Sequence, residues 1–326
     1  MRYPYLIAGA IVAVSAAAFF RYLPSHATDG PIQKRFTNST QDARWGKEYL
    51  PNLPVVDQDG NTFRFYEDLV KGKKVIINFI YTSCTDVCPL TTARLAVLQE
   101  KLGASVGRDY FMYSITIDPE HDTPAQLKRH TEAFRVKPGW RFLTGDPRDI
   151  AVIRYKLGER SKFLAEHRHE LLLGNDANGD WSKDSAFGDL DRLAMNIHAM
   201  DPDFRNVASA SGSLHTTAAT MVVEDKPGEG LFVKTCASCH TIGGGDRIGP
   251  DLHHIASRRD QAWVKRFIMR PDRMFAEQDP LAVTIAAKFP GVRMPNLSIS
   301  EHDVEDLLAY IDAKSQISGA TAKNVN

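Results

Sequence analysis

Residues 74–103 read KVIINFIYTSCTDVCPLTTARLAVLQEKLG. The opening run, Lys74 to Thr82, is almost continuously apolar, as expected of a strand buried on both faces. It reaches Ser83 and Cys84 and hands over to a helix. There Leu95, Leu98 and Leu102 share one face, and Gly103 stands where a helix stops. A buried strand feeding an amphipathic helix is the repeating unit of a layered α/β fold.

The same alternation extends in both directions. Upstream, LPVVDQDGNTFRFY predicts two short strands about a turn at Asp59-Gly60. Downstream, YFMYSITID predicts a second buried strand. A helix follows with Thr123 as N-cap and Pro124 in its first turn, placing Leu127, His130 and Phe134 on the inner stripe. Asp146, Pro147 and Gly158 delimit another helix, and HELLLGND is a third apolar strand. The expected α/β domain covers 48–205, followed by a linker at 206–224 in which Val222 and Val223 are candidates for a closing element. Residues 225–316 show helical patterns without strands. EGLFVKTCASCH, AWVKRFIMRP and SEHDVEDLLAYIDAKS predict helices, the last with Ser300 and Asp303 in capping positions and Val304, Leu307, Leu308 and Ile311 on one face. Residues 317–326 read as a flexible tail.

A chain of 326 residues suits two domains. Its 40 basic and 40 acidic side chains balance, which gives no support for a nucleic-acid partner. Tyr3 to Phe20, YPYLIAGAIVAVSAAAFF, carries no charge and is flanked by Arg2 and Arg21. Within a first segment 1–27, it reads as a membrane anchor helix or as a signal-peptide core cleaved after Ser25-His26-Ala27. Either reading exports the rest, past a polar tether at 28–47, to the periplasmic side of a bacterial inner membrane. The four cysteines form two tight local pairs, and short loops gain little from a disulfide. Each pair therefore calls for a chemical explanation.

Cys236, Cys239 and His240 spell C-x-x-C-H, the attachment signature of c-type haem. On a helical turn both thiols reach the porphyrin vinyl groups, and the adjacent imidazole faces the iron. The alternatives are a disulfide, or a zinc half-site completed by His253 and His254. CASCHTIG, IGPDL, GVRMPNLS and the last helix resemble a small class I cytochrome c domain over about 225–316. That resemblance implies covalent haem c, His240 as proximal ligand positioned by the Pro250 carbonyl, and Met294 as distal ligand. Met269 and Met274 are rivals for the distal position.

Cys84 and Cys88, four apart, can share a helical face. A helix N-terminus favours thiolate, and two soft thiolates suit Cu(I), zinc or reversible disulfide chemistry. FIYTSCTDVCPLTTARLAVLQEKLG, SITIDPEHDTPAQL and WRFLTG resemble the Sco/SenC family of thioredoxin-like proteins over about 48–200. The resemblance implies copper held by Cys84, Cys88 and a distant histidine, and service to the binuclear copper centre of cytochrome c oxidase. AEHRHELLLGND offers His167 and His169; counting back from the Leu173-Gly174-Asn175 turn selects His167, with His169 as the alternative. Asp86 and Asp118 are acidic neighbours with solvation and capping as their simpler roles. Glu166 stands where the family often has aspartate, and LLGNDANGDWSKDSAF is found in only a subset of similar proteins. The implied function is a copper-binding, redox-active oxidase assembly factor carrying an electron-transfer haem. The alternatives are a membrane-anchored thiol–disulfide reductase without metal delivery, or an electron carrier with a Sco-like docking module. The expected partner is the copper-site subunit of the oxidase or another redox protein.

Overall fold

A computed structural model describes residues 45–204 and 228–323. The apolar segment 3–20, most of the tether, and the 206–224 linker with His215, Val222 and Val223 lie outside the described residues. Among the described residues no helix is long and apolar enough to cross a membrane. The described residues pack as one compact unit.

Its centre is a seven-stranded mixed sheet. Strands β1 (Pro54–Asp57) and β2 (Thr62–Arg64) form the expected hairpin, closed by Gly60 at φ 84° and by Asp57, whose carboxylate accepts from the backbone of Asp59 and Asn61. β3 (Lys74–Ile80) runs parallel to β4 (Tyr110–Thr116), and β4 parallel to β5 (Trp140–Thr144). β6 (Glu170–Asn175) returns antiparallel to β3 and pairs with β7 (Asp180–Ser185). The spatial order is β2-β1-β5-β4-β3-β6-β7. Side chains of β3 alternate between two apolar layers, because successive strand residues point to opposite faces. Val75, Ile77 and Phe79 pack with Phe65, Ile150 and Ile153, while Ile76 and Ile80 pack with Leu95, Leu98 and Trp140. Each such buried side chain contributes about 1.5–3 kcal/mol.

Four helices cover this sheet: α1 (Cys88–Leu102), α2 (Pro124–Ala133), α3 (Pro147–Lys156) and α4 (Leu190–His198). The Thr123 and Asp146 side chains cap α2 and α3, and Gly103 ends α1 at φ 57°. One expectation needs correction. Helix α1 starts at Cys88, so Cys84 precedes it and the two cysteines do not share a helical face. Had the helix begun at Cys84, Pro89 would lie inside it and its ring would meet the carbonyl of Thr85. Pro89 is tolerated only in the first turn, and it sets the start. Strands β5 and β7 also go beyond the sequence reading. β5 is five residues long, and β7 is a polar edge strand that exists through pairing with β6.

The C-terminal part is helical: the turns Glu229–Leu231 and Phe232–Cys236, then α5 (Ile255–Arg258), α6 (Gln261–Met269), α7 (Pro271–Ala276), α8 (Pro280–Lys288) and α9 (Glu301–Lys323). Val304, Leu307 and Ile311 are the buried stripe of α9, and Ser300 and Asp303 hydrogen-bond as a cap. The helix continues to Lys323, into the segment read as a tail, because no proline stops it and each added residue adds a hydrogen bond.

Candidate metal centre and haem pocket

Cys84 lies in the loop between β3 and α1, and Cys88 opens α1. The chain between the turn Leu164–Glu166 and β6 delivers His167 and His169, so neither histidine is within the strand itself. His167 Nε2 stands 3.6 Å from Cys88 Sγ. The donor atoms of Cys88, His167 and His169 all lie within 4.8 Å of one another. Cys84 stands outside this group of three, near enough to Cys88 for the second thiol to govern its acidity, and both cysteines are free. Cys84, Cys88 and His167 are all buried. The structure brings both histidines to Cys88 rather than choosing between them; their rings meet edge-on at 4.2 Å.

The electrostatics suit a soft metal. The hydrogen bond from Cys88 draws the Cys84 thiol down to about 5, against burial, and the Tyr81 hydroxyl adds a second bond. Cys88 moves upward, because it gives that hydrogen bond to Cys84 and because it is buried. The pair thus keeps one thiolate and one thiol near neutral pH. Burial, aided by neighbouring His169, takes His167 down to about 4, so its imidazole is neutral and has a free lone pair. The Phe79 carbonyl hydrogen-bonds the His167 ring, the kind of outer contact that fixes a ligand's orientation. His169 Nδ1 is buried with no hydrogen-bond partner in the protein, an orphan that a metal would satisfy. Thiolate sulfur and imidazole nitrogen in this combination suit copper or zinc.

Three supporting residues were not singled out from sequence. Tyr81 bonds Cys84 and packs its ring edge-on against His167 at 5.5 Å. Asp122 is fully buried; it accepts from the Thr82 backbone at 3.2 Å and from the Thr82 and Thr116 hydroxyls, pinning the base of the cysteine loop. Glu159 is buried and accepts from the backbones of Ser161 and Arg168 at 2.8 and 3.1 Å, shaping the loop that carries His167. Burial opposes its charge, yet these hydrogen bonds and Arg154 hold it below the ordinary carboxylate range. In IDPEHDTP nothing local separates buried Asp122 from Asp118, which pairs with His121 at 2.8 Å. Asp86 is exposed. His130 is buried on α2 beside Thr92, and His198 bonds the Tyr110 hydroxyl.

The second centre is an apolar cavity lined by Cys236, Cys239, His240 and Met294, with Trp263, Phe267, Leu307 and Ile311 among its walls. His240 Nδ1 donates to the Pro250 carbonyl at 2.8 Å, which leaves Nε2 for an iron. Burial lowers the affinity of His240 for a proton and keeps it a neutral ligand. A Cβ at Gly249 would lie 2.6 Å from the His240 ring, so only glycine lets the loop cradle that imidazole. The residues fit a covalently attached haem. Met294 lines the cavity, whereas Met269 and Met274 do not. His253 bonds the Ser315 carbonyl at 3.1 Å on the α9 side. Among the described residues, the group of three or more metal-capable donors is the one at Cys88.

A family model described as SCO1/SenC matches residues 41–163, and one described as Cytochrome c matches 226–314. The SCO2-like protein of Rickettsia conorii is 35% identical over 180 residues, covering 52% of this chain and 83% of that protein. The chain belongs to the SCO1/SenC family. Its Sco domain carries the Cys84/Cys88 centre, and a cytochrome c domain follows. The SCO1 protein homolog of Bacillus subtilis is 37% identical over 90 residues, 27% of this chain. The chain spans about half the length of the first curated relatives it matches, 52% and 45%. Among solved structures, copper-bound ScoI of Bradyrhizobium japonicum is 25% identical, with 45% of this chain and 97% of that one covered at a TM-score of 0.38.

Proposed function

We propose that this protein is a copper-binding, redox-active assembly factor for the copper centre of cytochrome c oxidase, with a haem c that exchanges electrons with the copper site. The carrying observation is the buried thiol–imidazole cluster, Cys88 Sγ to His167 Nε2 at 3.6 Å with the His169 donor within 4.8 Å of both. Cys84, Cys88 and His167 would hold copper, with His169 close enough to contribute. His240 and Met294 would hold the haem iron, and Cys236 and Cys239 the porphyrin. Membership of the Sco family supports the oxidase role. The apolar segment 3–20 supports export and anchoring on the periplasmic side of a bacterial inner membrane.

Bound copper supplies a one-electron couple, and the haem accepts one electron at a time. A dithiol gives two, and dithiol couples of thioredoxin-like folds lie at roughly −270 to −120 mV. A His/Met haem lies higher, so electrons would run towards the haem that His240 and Met294 would hold. The reading is tested by Cu(I) titration of the haem-loaded protein beside Cys84→Ala and His167→Ala. Weakened binding in both variants supports it, and unchanged stoichiometry and affinity in Cys84→Ala overturns it. Scoring oxidase assembly in a deletion strain complemented by the same variants tests the cellular role.

The thiolate at Cys84 with Cys88 as resolving thiol favours a second reading, a thiol–disulfide reductase that keeps oxidase cysteines reduced. It predicts reductase activity that survives replacement of both His167 and His169.

A further inference from the structure

The haem cavity and the cleft above Cys84 share a wall. Pro89, Phe275, Ala286, Val292 and Arg293 line both spaces. Pro89 is bonded directly to Cys88, and the next residue, Leu90, also lines the haem cavity. Helix α1 therefore begins with a metal-site thiol and continues as part of the haem pocket. The opposing face comes from the cytochrome domain: Phe275 with the Arg293 guanidinium 5.0 Å over its ring, and Val292, two residues before Met294.

The two domains are clamped along this same helix. Arg94, buried on α1, donates to the carbonyls of Ala186 and Gly188 in the Sco domain and of Lys234, at 2.6 Å, in the turn that leads into the CASCH segment. Farther along α1, Glu100 pairs with Arg247 at 2.7 Å. Between these polar ties, Ala93 and Phe134 pack with Ile248, and Cys239 and Val292 close the cluster. A cysteine of the haem attachment pair thus packs against an apolar cluster to which both domains contribute.

We propose that the two centres form one intramolecular electron-transfer unit, with the Cys88–Pro89 peptide as bridge and α1 as a spacer of fixed length. The inference rests on the copper and haem reading above. Cys84, Cys88 and His167 would hold the copper and His240 the haem iron; each group would supply a one-electron couple, so that one electron lost by the copper would be the one gained by the iron. No bond forms or breaks and no proton moves. The electronic coupling between two such centres falls steeply with their separation. Residues that set the domain contact, Arg94, Glu100 and Arg247, are therefore positioning residues for this transfer.

The test uses the full chain carrying haem and one Cu(I). The ferrous haem is oxidised in a pulse by a photogenerated ruthenium oxidant, and its re-reduction is followed by absorbance. The expected result is a single exponential whose rate does not change with protein concentration. Glu100→Arg places a third cation beside Arg247 and Lys137, which lies 3.5 Å from Glu100. Like charges at an interface are strongly unfavourable, so the rate falls by about tenfold or more. The double exchange Glu100→Arg with Arg247→Glu restores it, with haem spectrum and copper content constant in all three proteins. A rate proportional to protein concentration, one indifferent to Glu100→Arg, or no re-reduction in protein that retains both metals overturns the inference alone. Failure to hold copper in the unsubstituted protein overturns the earlier reading and this one with it.

Discussion

Cys84 and Cys88 sit beside each other and Tyr81, whereas Cys236 and Cys239 each meet a neighbouring hydroxyl, Thr235 at 3.4 Å and Ser238 at 4.0 Å, and are otherwise enclosed by the apolar haem cavity. Both pairs are local and stand near a histidine, but only the first contains a thiol made more acidic, because Cys88 moves upward as both haem-pair thiols do. Cys84 is drawn down to about 5 by its hydrogen bonds. Burial pushes Cys236 upward and Cys239 up to about 11. A metal ligand and redox nucleophile works as thiolate. A thiol destined for a covalent thioether needs an apolar wall against the porphyrin, and its charge is unwanted once the bond has formed. Spacing places two sulfurs together, and the environment decides what those sulfurs do.

The strongest way to break this contrast is to remove one pair and measure both cofactors. Cys236→Ala with Cys239→Ala should abolish covalent haem in a denaturing gel stained for haem, while Cu(I) stoichiometry stays at the unsubstituted level. Loss of copper as well would show that the pairs are not separate centres. Next in size, Cys88→Ser should lower Cu(I) affinity by more than the 10–100-fold, about, that outer-shell changes cost at metal sites, measured by competition with a chromophoric chelator. Covalent haem should be retained.

A third measurement sharpens the acidity difference. Alkylation of the copper-free protein by iodoacetamide should modify Cys84 first, with a rate that rises through a midpoint near pH 5 and is flat by neutrality. The sign follows from the lowered pKa: at pH above it the thiolate dominates, and below it protonation removes the nucleophile. A midpoint near the ordinary thiol value, identified by peptide mapping, would erase the contrast. The smallest effect is expected at Glu159→Gln. This change weakens the scaffold of the His167 loop and should cost about tenfold in copper affinity, the size of an outer-shell loss, with the haem spectrum unchanged.

Much was legible from local chemistry. The hairpin at Asp59-Gly60, the caps Thr123 and Asp146, the stop at Gly103 and the C-x-x-C-H turn all depend on residues within a few positions of each other. So do the apolar runs of β3, β4 and β6, which announce themselves by composition. Other features needed partners far along the chain. β7 is polar and is a strand only because β6 lies beside it. Asp122 and Glu159 look like surface acids until the fold encloses them.

Spacing, capping and hydrophobic period act locally, and they set which sulfurs are paired, which imidazole follows the second pair, and where the buried strands and the capped helices α2 and α3 run. Tertiary structure decided that His167 and His169 both reach Cys88, and that Pro89 walls the haem cavity. Those facts depend on chain segments dozens of residues apart meeting at a few ångströms: β6 beside β3 within the Sco domain brings the histidines to Cys88, and the packing of the two domains along α1 brings Pro89 to the haem cavity.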